Sequence, residues 1–334
     1  MPENRQIIIA KLPTGPLAVD DYELRTTDVP EPGPDEVLVR TLAITIGAGQ
    51  RAGLQGSASY AGAPTTGIVM GGTGVGRVEV SSVDGVNVGD LVAGGTGWQD
   101  HAVLPARDAR VVDPAIDPAL HLSLLGTNGL TAYFGLLDIG RPLVGETVVV
   151  SAASGSVGHL VGQIARLQGA RVVGVTGSAA KCELLTGRLG FAAAVDHRSD
   201  TFRDDFKAAT ADGIDVYFDN TGGDILGAAL RRMKPHGRIV CCGVVSQYDT
   251  ADPQPGPRGI PGLLVNNRVR MEGFLVFDYA SRYDEARATM RGWLDDGDIE
   301  SVHDEVSGLE NAPQAFVDLL AGGNVGTRIV RVAD

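Results

Sequence analysis

The stretch that decides the fold is ETVVVSAASGSVGHLVGQIARLQGARVVGVTGS, residues 146–178. Between its two valine-rich runs, apolar residues recur at the spacing of an amphipathic helix, and Gly169 then marks the end of that helix. A strand, a turn of small residues, a helix and a second strand form the repeating unit of a parallel sheet. The stretch therefore predicts an α/β fold.

The turn inside this stretch reads Ala152-Ala153-Ser154-Gly155-Ser156-Val157-Gly158, an A-x-x-G-x-x-G pattern. Gly155 lets the backbone approach a diphosphate, Gly158 lets the helix pack closely on the strand, and the amides at the helix start attract the anion. We predict that Ser154, Gly155, Ser156, Val157 and Gly158 bind a dinucleotide. The alternative is a helix start that merely requires small residues. A second glycine run, GGTGVG at 71–76, leads into a strand instead of a helix, and we predict a turn there.

The second valine-rich strand ends in Val175, Thr176, Gly177 and Ser178. An NAD site presents Asp or Glu to the ribose hydroxyls near this position, and no acidic residue stands here. Lys181, in the first turn of the next predicted helix, can instead meet a 2'-phosphate. We predict NADPH as the cofactor, with Thr176, Gly177, Ser178 and Lys181 beside its ribose. A solvated helix lysine is the alternative reading of Lys181.

Composition limits the partners of the chain. Acidic residues outnumber basic ones, 41 to 28, and the basic residues are scattered along the 334 positions, so nucleic acid and anionic membranes are not expected partners. No apolar run approaches the length of a membrane span. The three cysteines, Cys182, Cys241 and Cys242, cannot form an ordinary disulfide pattern, which favours a cytoplasmic location.

Two predicted domains differ in character. Short β-like runs broken by Gly and Pro fill the chain to about residue 121, whereas strands then alternate with helices. The predicted strands of this second part are ETVVVSA, RVVGVTG, AAAVD, DVYFDN, GRIVCCG and RMEGFLVF. We predict a β-rich catalytic domain at 1–122 and 297–334 and a doubly wound parallel-sheet cofactor domain at 123–296. ADPQPGPRGIPG, residues 251–262, is predicted as an irregular surface connection or a loop beside the active site.

These segments resemble one family. VSAASGSVGHLVGQIARLQGARVVGVTGS, DVYFDNTGG, GRIVCCGVVSQYD and the ending GGNVGTRIV are similar to the zinc-independent branch of the medium-chain dehydrogenase/reductase superfamily that contains leukotriene B4 dehydrogenase, prostaglandin reductase and the plant alkenal double-bond reductases. The resemblance runs from Tyr22 through nearly the whole chain. It implies a GroES-like catalytic domain, a Rossmann cofactor domain, and a homodimer joined by strands around RMEGFLVF.

The resemblance also implies cofactor contacts outside the turn. Matching positions place the 2'-phosphate at Lys181 and add contacts from Asn220, Cys242, Gly243, Val244, Ser246, Tyr248, Phe274, Val276 and Asn324. Where relatives often have a tyrosine near the adenosine phosphate, this chain has His197 followed by Arg198, and either side chain can bond a phosphate. An ordinary exposed histidine is the alternative for His197.

No zinc site is predicted. Zinc alcohol dehydrogenases of the same superfamily use a Cys of the first domain and a His of a Gly-His-Glu run, and a closed zinc site needs three or four ligands. Here every cysteine lies in the cofactor half, the corresponding run reads Gly71-Gly72-Thr73, and the six histidines are dispersed. Hydride addition to a conjugated carbonyl suits such a site, because the resulting enolate needs only a hydrogen-bond donor.

Tyrosines are the candidate donors, since a phenol can hydrogen-bond the developing enolate. Tyr60, Tyr248 and Tyr279 are the candidate phenols, and Tyr60 and Tyr279 are the predicted catalytic residues; structural packing is the alternative for each.

The chain departs from its relatives around the presumed substrate. Gly47-Ala48-Gly49-Gln50-Arg51 replaces their Asp-Pro-Tyr-Met-Arg run, Phe277 replaces a late tyrosine, and the loop LGTNGLTAY, residues 125–133, is shortened. Prostaglandin and leukotriene substrates are therefore not carried over. We expect NADPH-dependent reduction of the C=C bond of a small α,β-unsaturated ketone or aldehyde. The alternatives are a quinone or carbonyl reductase and an NADPH-binding protein without turnover.

Overall fold

The chain divides into two units, one built on a mostly antiparallel sheet and one on a parallel sheet. The computed structural model describes residues 3–58, 62–253 and 255–333. The first unit comprises Met1–Gly126, Asp249–Ala251 and His303–Asp334, and the second comprises Thr127–Tyr248 and Asp252–Val302. The functional partition at 1–122 with 297–334 and at 123–296 stays a prediction.

The regular elements alternate strongly in type only in the second unit. The strands are β1 (Glu3–Ile9), β2 (Tyr22–Asp28), β3 (Glu36–Ile46), β4 (Gly74–Ser81), β5 (Leu91–Gly94), β6 (His101–Pro105), β7 (Arg110–Val111), β8 (Thr147–Ser151), β9 (Arg171–Thr176), β10 (Ala193–Asp196), β11 (Ile214–Asp219), β12 (Met233–Cys241), β13 (Arg270–Gly273), β14 (His303–Ser307) and β15 (Thr327–Arg331). The helices are α1 (Gly49–Leu54), α2 (Pro118–Leu122), α3 (Thr127–Phe134), α4 (Gly158–Leu167), α5 (Ala179–Glu183), α6 (Phe202–Ala209), α7 (Gly223–Leu230), α8 (Ile260–Asn267), α9 (Tyr283–Asp295) and α10 (Ala312–Leu320). No described helix is long and apolar enough to cross a bilayer.

The first unit is held by a sheet in the order β14-β15-β3-β4-β5-β7, with β6 also paired to β3 and β1 paired to β2. One apolar cluster of this unit surrounds Trp98, which is fully buried. The indole stacks on Tyr22 at 5.6 Å between centroids and meets the edge of Phe316 at 5.8 Å. Phe316 lies on α10, so the C-terminal segment of the chain completes the core of the β-rich unit.

The second unit has a six-stranded sheet in the order β10-β9-β8-β11-β12-β13, in which every pair is parallel. Val148, Val149 and Val150 of β8 are fully buried, because helices cover both faces of such a sheet. Numbered from β8, the order is 3-2-1-4-5-6, and it reverses between β8 and β11. The predicted α/β fold, with a β-rich part and a doubly wound parallel sheet, is confirmed.

Two expectations about extended or irregular chain are wrong. The predicted strand RMEGFLVF ends at Gly273, and a 3₁₀ segment follows at Val276–Arg282. Leu275 and Phe277 are 39% and 54% exposed, so this apolar run is not a strand buried on both faces. The irregular segment 251–262 ends early, because α8 begins at Ile260; Pro261 lies in its first turn, where the missing N–H costs no helical hydrogen bond.

Two expectations about loops are also wrong. LGTNGLTAY is not a loop: most of it forms α3, whose Leu130, Ala132 and Phe134 are buried, so tertiary packing outweighs the weak helix propensity of Thr, Asn and Gly. The predicted turn at 71–76 is already strand from Gly74 onward. Gly76 is required there because a Cβ at this position would overlap the Arg40 carbonyl of the paired strand.

Candidate cofactor site

Nearly all of the predicted cofactor residues follow the C-terminal ends of strands in the parallel sheet. They are Ser154–Gly158 after β8, Thr176 at the end of β9 with Gly177, Ser178 and Lys181 beyond it, His197 after β10, Asn220 after β11, Cys242, Gly243, Val244, Ser246 and Tyr248 after β12, and Phe274 and Val276 after β13. Parallel strands end at one edge of their sheet, where open α/β folds bind ligands. The fold thus gathers these residues at one edge, while their cofactor role stays a prediction.

The turn between β8 and α4 is closed by backbone contacts and leaves no room for larger residues. The Gly155 N–H donates to the Ala152 carbonyl at 2.9 Å, and Ala152 has a positive φ of 47°. A Cβ at Gly158 would overlap that same carbonyl and lie 2.8 Å from the Ala153 Cα. The N-cap residue Val157 supplies no side-chain acceptor to the first amides of α4. A small-residue bend leading into such a helix start fits a diphosphate.

The point where the strand order reverses carries a network that sequence reasoning did not find. Asn220 donates its backbone N–H to Ser151 Oγ at 2.9 Å and its side-chain Nδ2 to the Ser151 carbonyl at 2.7 Å, which ties the end of β11 to the end of β8. Asp219 is buried and its Oδ1 accepts from Ser151 Oγ at 3.2 Å and from the Tyr217 hydroxyl at 2.9 Å. The same oxygen accepts from the Gly222 amide at 2.9 Å. Asp219 therefore fixes this corner of the sheet edge.

A sequence signal for Asp219 was available. It is the last residue of β11, IDVYFD, after the buried run Val216–Phe218, and an acid at the C-terminal end of a strand in a parallel sheet lies at the ligand edge. The carboxylate also acts on its neighbours. Burial, assisted by the negative charge of Asp219, raises the pKa of Cys241 to about 11 and that of Cys242 to about 12. Both thiols are therefore protonated at neutral pH and do not act as nucleophiles.

Two hydrogen bonds fix the backbone of the predicted ribose region, between the end of β9 and the start of α5. Ser154 Oγ and Thr176 Oγ1 are both buried and lie 2.6 Å apart, which joins the turn after β8 to the end of β9. Ser178 caps α5 by accepting the Lys181 amide at 3.3 Å. These contacts fix the backbone on which the Lys181 side chain is mounted.

Basic side chains surround Gly177. A Cβ at this glycine would lie 3.2 Å from His197 Nε2 and 3.4 Å from Arg198 Nε, so the imidazole and the guanidinium both lie against the end of β9. Burial lowers the pKa of the His197 imidazole, and the positive charges of Arg198 and Lys181 lower it further, while Asp196 opposes the shift. We call Lys181, His197 and Arg198 the basic cluster. Its charge and place suit the 2'-phosphate of NADPH.

The segment after β12 is folded back onto the end of β11. The amides of Cys242 and Gly243 donate to the Asp219 carbonyl at 2.9 and 3.1 Å, and the Val245 amide donates to the Asn220 carbonyl at 3.2 Å. A Cβ at Gly243 would lie 3.1 Å from that Asn220 carbonyl, so the two segments are in close contact. The backbone of the predicted contacts Cys242 to Tyr248 is therefore set by β11.

The candidate catalytic tyrosines are placed unequally. Tyr60 lies outside the described residues. Tyr279 stacks on Phe134 at 4.5 Å between centroids with an interplanar angle of 17°, and meets Phe274 edge-on at 6.4 Å. Burial, reinforced by Asp138, raises the pKa of Tyr279, so its hydroxyl keeps its proton at neutral pH. Tyr279 therefore adjoins one predicted cofactor contact, Phe274.

Among the predicted cofactor contacts, Asn324 is the one that belongs to the first unit. Its side-chain amide donates to the Gly326 carbonyl at 2.9 Å within the turn before β15. Its role toward the cofactor stays a prediction.

Arg51, in the segment that departs from the relatives, is 1% exposed and anchors the residue after Tyr248. Its Nε lies 3.0 Å from Asp249 Oδ1 and its Nη2 donates to the Gly15 carbonyl at 2.8 Å. Asp249 Oδ1 also accepts the Leu17 amide at 2.5 Å. A largely buried ion pair thus holds Asp249, the residue that follows the predicted cofactor segment, within the first unit.

No group of three or more His, Cys, Asp or Glu side chains gathers in a metal-binding arrangement among residues 3–58, 62–253 and 255–333. The absence of zinc stays a prediction that metal analysis would test.

Comparisons with known proteins match both units. Residues 5–112 match a family model described as the N-terminal domain of oxidoreductase, and residues 156–291 match one described as zinc-binding dehydrogenase. The NADPH-dependent curcumin reductase of Escherichia coli K12 is 39% identical, over 99% of this chain and 97% of its own length. The NADP(+)-dependent 2-alkenal reductase of Nicotiana tabacum is 36% identical, over 99% of this chain and 98% of its own length.

A solved structure agrees along the whole chain. CurA of Vibrio vulnificus in complex with NADPH has a TM-score of 0.94 and 37% identity, and the match covers 99% of each chain.

Proposed function

The chain belongs to the zinc-independent branch of the medium-chain dehydrogenase/reductase superfamily, and from that premise we propose that it is an NADPH-dependent reductase of small α,β-unsaturated ketones and aldehydes. The resemblance predicted from the sequence is thereby confirmed. The names of two relatives and of one solved complex, each similar over nearly the full chain, support NADPH as the reductant.

The observation that carries the proposal is the pairing of two features at one sheet edge. The tight bend at 152–158 suits a diphosphate, and the basic cluster at the ends of β9 and β10 suits an additional phosphate. The strand β9 ends at Thr176 and is followed by Gly177, so this strand end presents no carboxylate that would repel that phosphate. Ser154–Gly158, Asn220 and the segment Cys242–Tyr248 complete the proposed cofactor contacts.

When bound, NADPH would supply a hydride to the β-carbon of the conjugated substrate, and the enolate so formed would take a proton from solvent at its α-carbon, which leaves the saturated carbonyl compound and NADP+. The chain must then provide a hydrogen-bond donor to the carbonyl oxygen, on which negative charge develops. Among the described residues, Tyr279 is the proposed donor, because its raised pKa keeps the hydroxyl protonated and no hydrogen bond within the described residues occupies it. Tyr60 remains the second candidate.

The experiment is a side-by-side turnover assay. The purified chain is mixed with NADPH and, separately, a small enone, an alkenal, a saturated ketone and a quinone, with NADPH absorbance and products followed together. We expect NADPH consumption with the enone and the alkenal, saturated carbonyl products, and no effect of a chelator. Direct formation of alcohols, turnover of the quinone alone, or tight NADPH binding without any turnover would contradict the proposal.

A homodimer is part of the proposal. Strand β13 ends the parallel sheet and pairs only with β12 among the described strands, so its outer edge can pair with a second copy. The exposed side chains of Leu275 and Phe277 lie just beyond it. Light scattering should report a dimer that Phe277→Glu weakens. Val144→Glu, at an 85% exposed valine elsewhere in the unit, is the matched control and should leave the mass unchanged.

The proposed compartment is the cytoplasm. Cys182, Cys241 and Cys242 are all free thiols, as is usual in a reducing environment.

A further inference from the structure

His159 is a buried polar residue with no role in the function proposed above. It lies in the first turn of α4 and its exposed fraction is 0%. Two of its groups bond one atom: its backbone N–H donates to the Gly155 carbonyl at 3.2 Å, and its ring Nδ1 lies 2.8 Å from the same oxygen. Gly155 is the glycine at which the proposed diphosphate approaches the backbone.

The partners of the ring fix its tautomer. The Val302 amide lies 3.2 Å from Nε2 and can only donate, so Nε2 is the acceptor. The Gly155 carbonyl can only accept, so Nδ1 carries the proton. The ring is therefore neutral, and it joins the Gly155 carbonyl to the Val302 amide.

Gln163, one helical turn further along α4, fixes the segment that carries the second partner of the ring. Gln163, also buried, donates from Nε2 to the His159 carbonyl and to the Glu300 carbonyl, each at 2.9 Å, and its Oε1 accepts the Glu300 amide at 2.9 Å. Segment 300–302 is thus held against α4 at two points. His159 has little freedom to leave the Gly155 carbonyl.

The bond from His159 to the Gly155 carbonyl also fixes the direction of the Ser156 N–H, which belongs to the same peptide group. A trans peptide is planar, with its C=O and N–H pointing in opposite directions. The Gly155 carbonyl accepts the first i to i+4 bond of α4 and so points along the helix, which directs the Ser156 N–H outward from the helix start. Glycine has the most backbone freedom to lose at this point, so a second donor on its carbonyl prepares the turn before the ligand arrives.

We propose that His159 is a positioning residue for the cofactor: its Nδ1–H orients the Gly155–Ser156 peptide so that the Ser156 N–H faces the diphosphate. This inference rests on the proposed NADPH site. It assigns no contact between His159 and the cofactor, because the ring acts through the peptide.

Two substitutions separate the two ring bonds. In His159→Asn the side-chain Nδ2 occupies the place of Nδ1 and can donate to the Gly155 carbonyl, whereas the bond to Val302 is lost. In His159→Gln the Oε1 occupies the place of Nε2 and can accept the Val302 amide, whereas the bond to Gly155 is lost. His159→Phe removes both bonds with little change in shape.

The test measures NADPH and NADH affinity by calorimetry together with the thermal midpoint of each variant. We expect His159→Asn to bind like the wild type and His159→Gln and His159→Phe to bind both dinucleotides about 3- to 10-fold more weakly, the effect of one hydrogen bond. The factor should be equal for NADPH and NADH, since both contain the diphosphate. The Ser156 amide resonance of the free protein should shift in His159→Gln and not in His159→Asn.

Other outcomes overturn the inference. If the Asn and Gln variants bind equally well, or if affinity follows the thermal midpoint instead of the Gly155 bond, His159 is merely structural. If His159→Phe does not fold, the comparison of dinucleotide affinity between His159→Asn and His159→Gln still tests the proposal. A wild type that binds dinucleotide while the variants do not differ overturns only the role of His159, whereas a wild type that binds neither dinucleotide overturns the proposed function as well.

Discussion

The turn at 152–158 and the basic cluster serve one proposed ligand by different means. The turn uses backbone groups and small residues. It is packed so closely that a Cβ at Gly158 would overlap the Ala152 carbonyl. The basic cluster uses long, partly exposed side chains around Gly177. The turn therefore tolerates few residue types, whereas the cluster can be built from different basic residues. A dinucleotide site thus combines a constrained part that binds every dinucleotide with an adjustable part that selects among them.

Replacing Gly158 by Ala gives the largest expected effect. The new Cβ meets the Ala152 carbonyl, and overpacking of this kind costs about 1–3 kcal/mol. NADPH and NADH affinity should both fall, because the turn is common to both, and the free energy of unfolding should fall too. Gly187→Ala is the matched control, since a Cβ there has open space. Equal behaviour of the two variants in denaturation and calorimetry would show that the turn is not constrained.

Replacing Lys181 by Ala should separate the cluster from the turn. Loss of one charge-assisted hydrogen bond should weaken NADPH about tenfold in calorimetry and leave NADH unchanged. Lys207→Ala, on α6 of the same unit, is the control for general loss of positive charge. If the affinity for NADH fell equally, Lys181 would contact the diphosphate or be needed for folding. The proposed division of roles between the turn and the basic cluster would then be wrong.

The pH dependence of the cofactor preference tests His197. In the free protein burial and Arg198 lower the pKa of His197, so the ring is neutral near pH 7. A bonded phosphate raises that pKa, so the complex takes up a proton. The preference for NADPH over NADH should rise as the pH falls from about 8 to about 6, by a few-fold, and flatten below that range as the phosphate itself protonates near pH 6. His197→Phe should remove this pH dependence of the NADPH preference, measured by calorimetry at several pH values. If the pH dependence persists in the variant, His197 is not its source.

A change in salt concentration should give the smallest difference between the turn and the basic cluster. Exposed charges are screened within about 10 Å at 0.1 M salt, whereas backbone amides in a tight turn are less affected. Raising the salt concentration should therefore lower the affinity for NADPH slightly more than it lowers the affinity for NADH. Fluorescence titrations at two salt concentrations measure this. If the affinity for both dinucleotides fell equally, the basic cluster would not contribute to the preference for NADPH.

The constrained region was the one that the sequence could predict. The strand, turn and helix around Gly155 and Gly158 follow from valine runs, small residues and helical spacing, and Gly169 ends α4 as expected. The position of Lys181 followed from its distance along the chain. These signals are local, so no tertiary information was needed.

What was missed depends on contacts between distant segments. Asp219 and His159 act through partners 68 and 143 positions away, Ser151 and Val302, which no local pattern identifies. The end of β13 at Gly273 was misjudged because an apolar run there remains partly exposed. The altered segment Gly47–Arg51, where we expect the substrate, contains no residue pattern that specifies a ligand.

Calorimetric titration of the wild-type chain with NADPH and with NADH, at low salt and neutral pH, tests the central claim most directly. The account predicts one site for each dinucleotide, with NADPH bound at least about tenfold more tightly, as a charge-assisted contact to the 2'-phosphate requires. Equal affinities, or no heat with either dinucleotide, would contradict it.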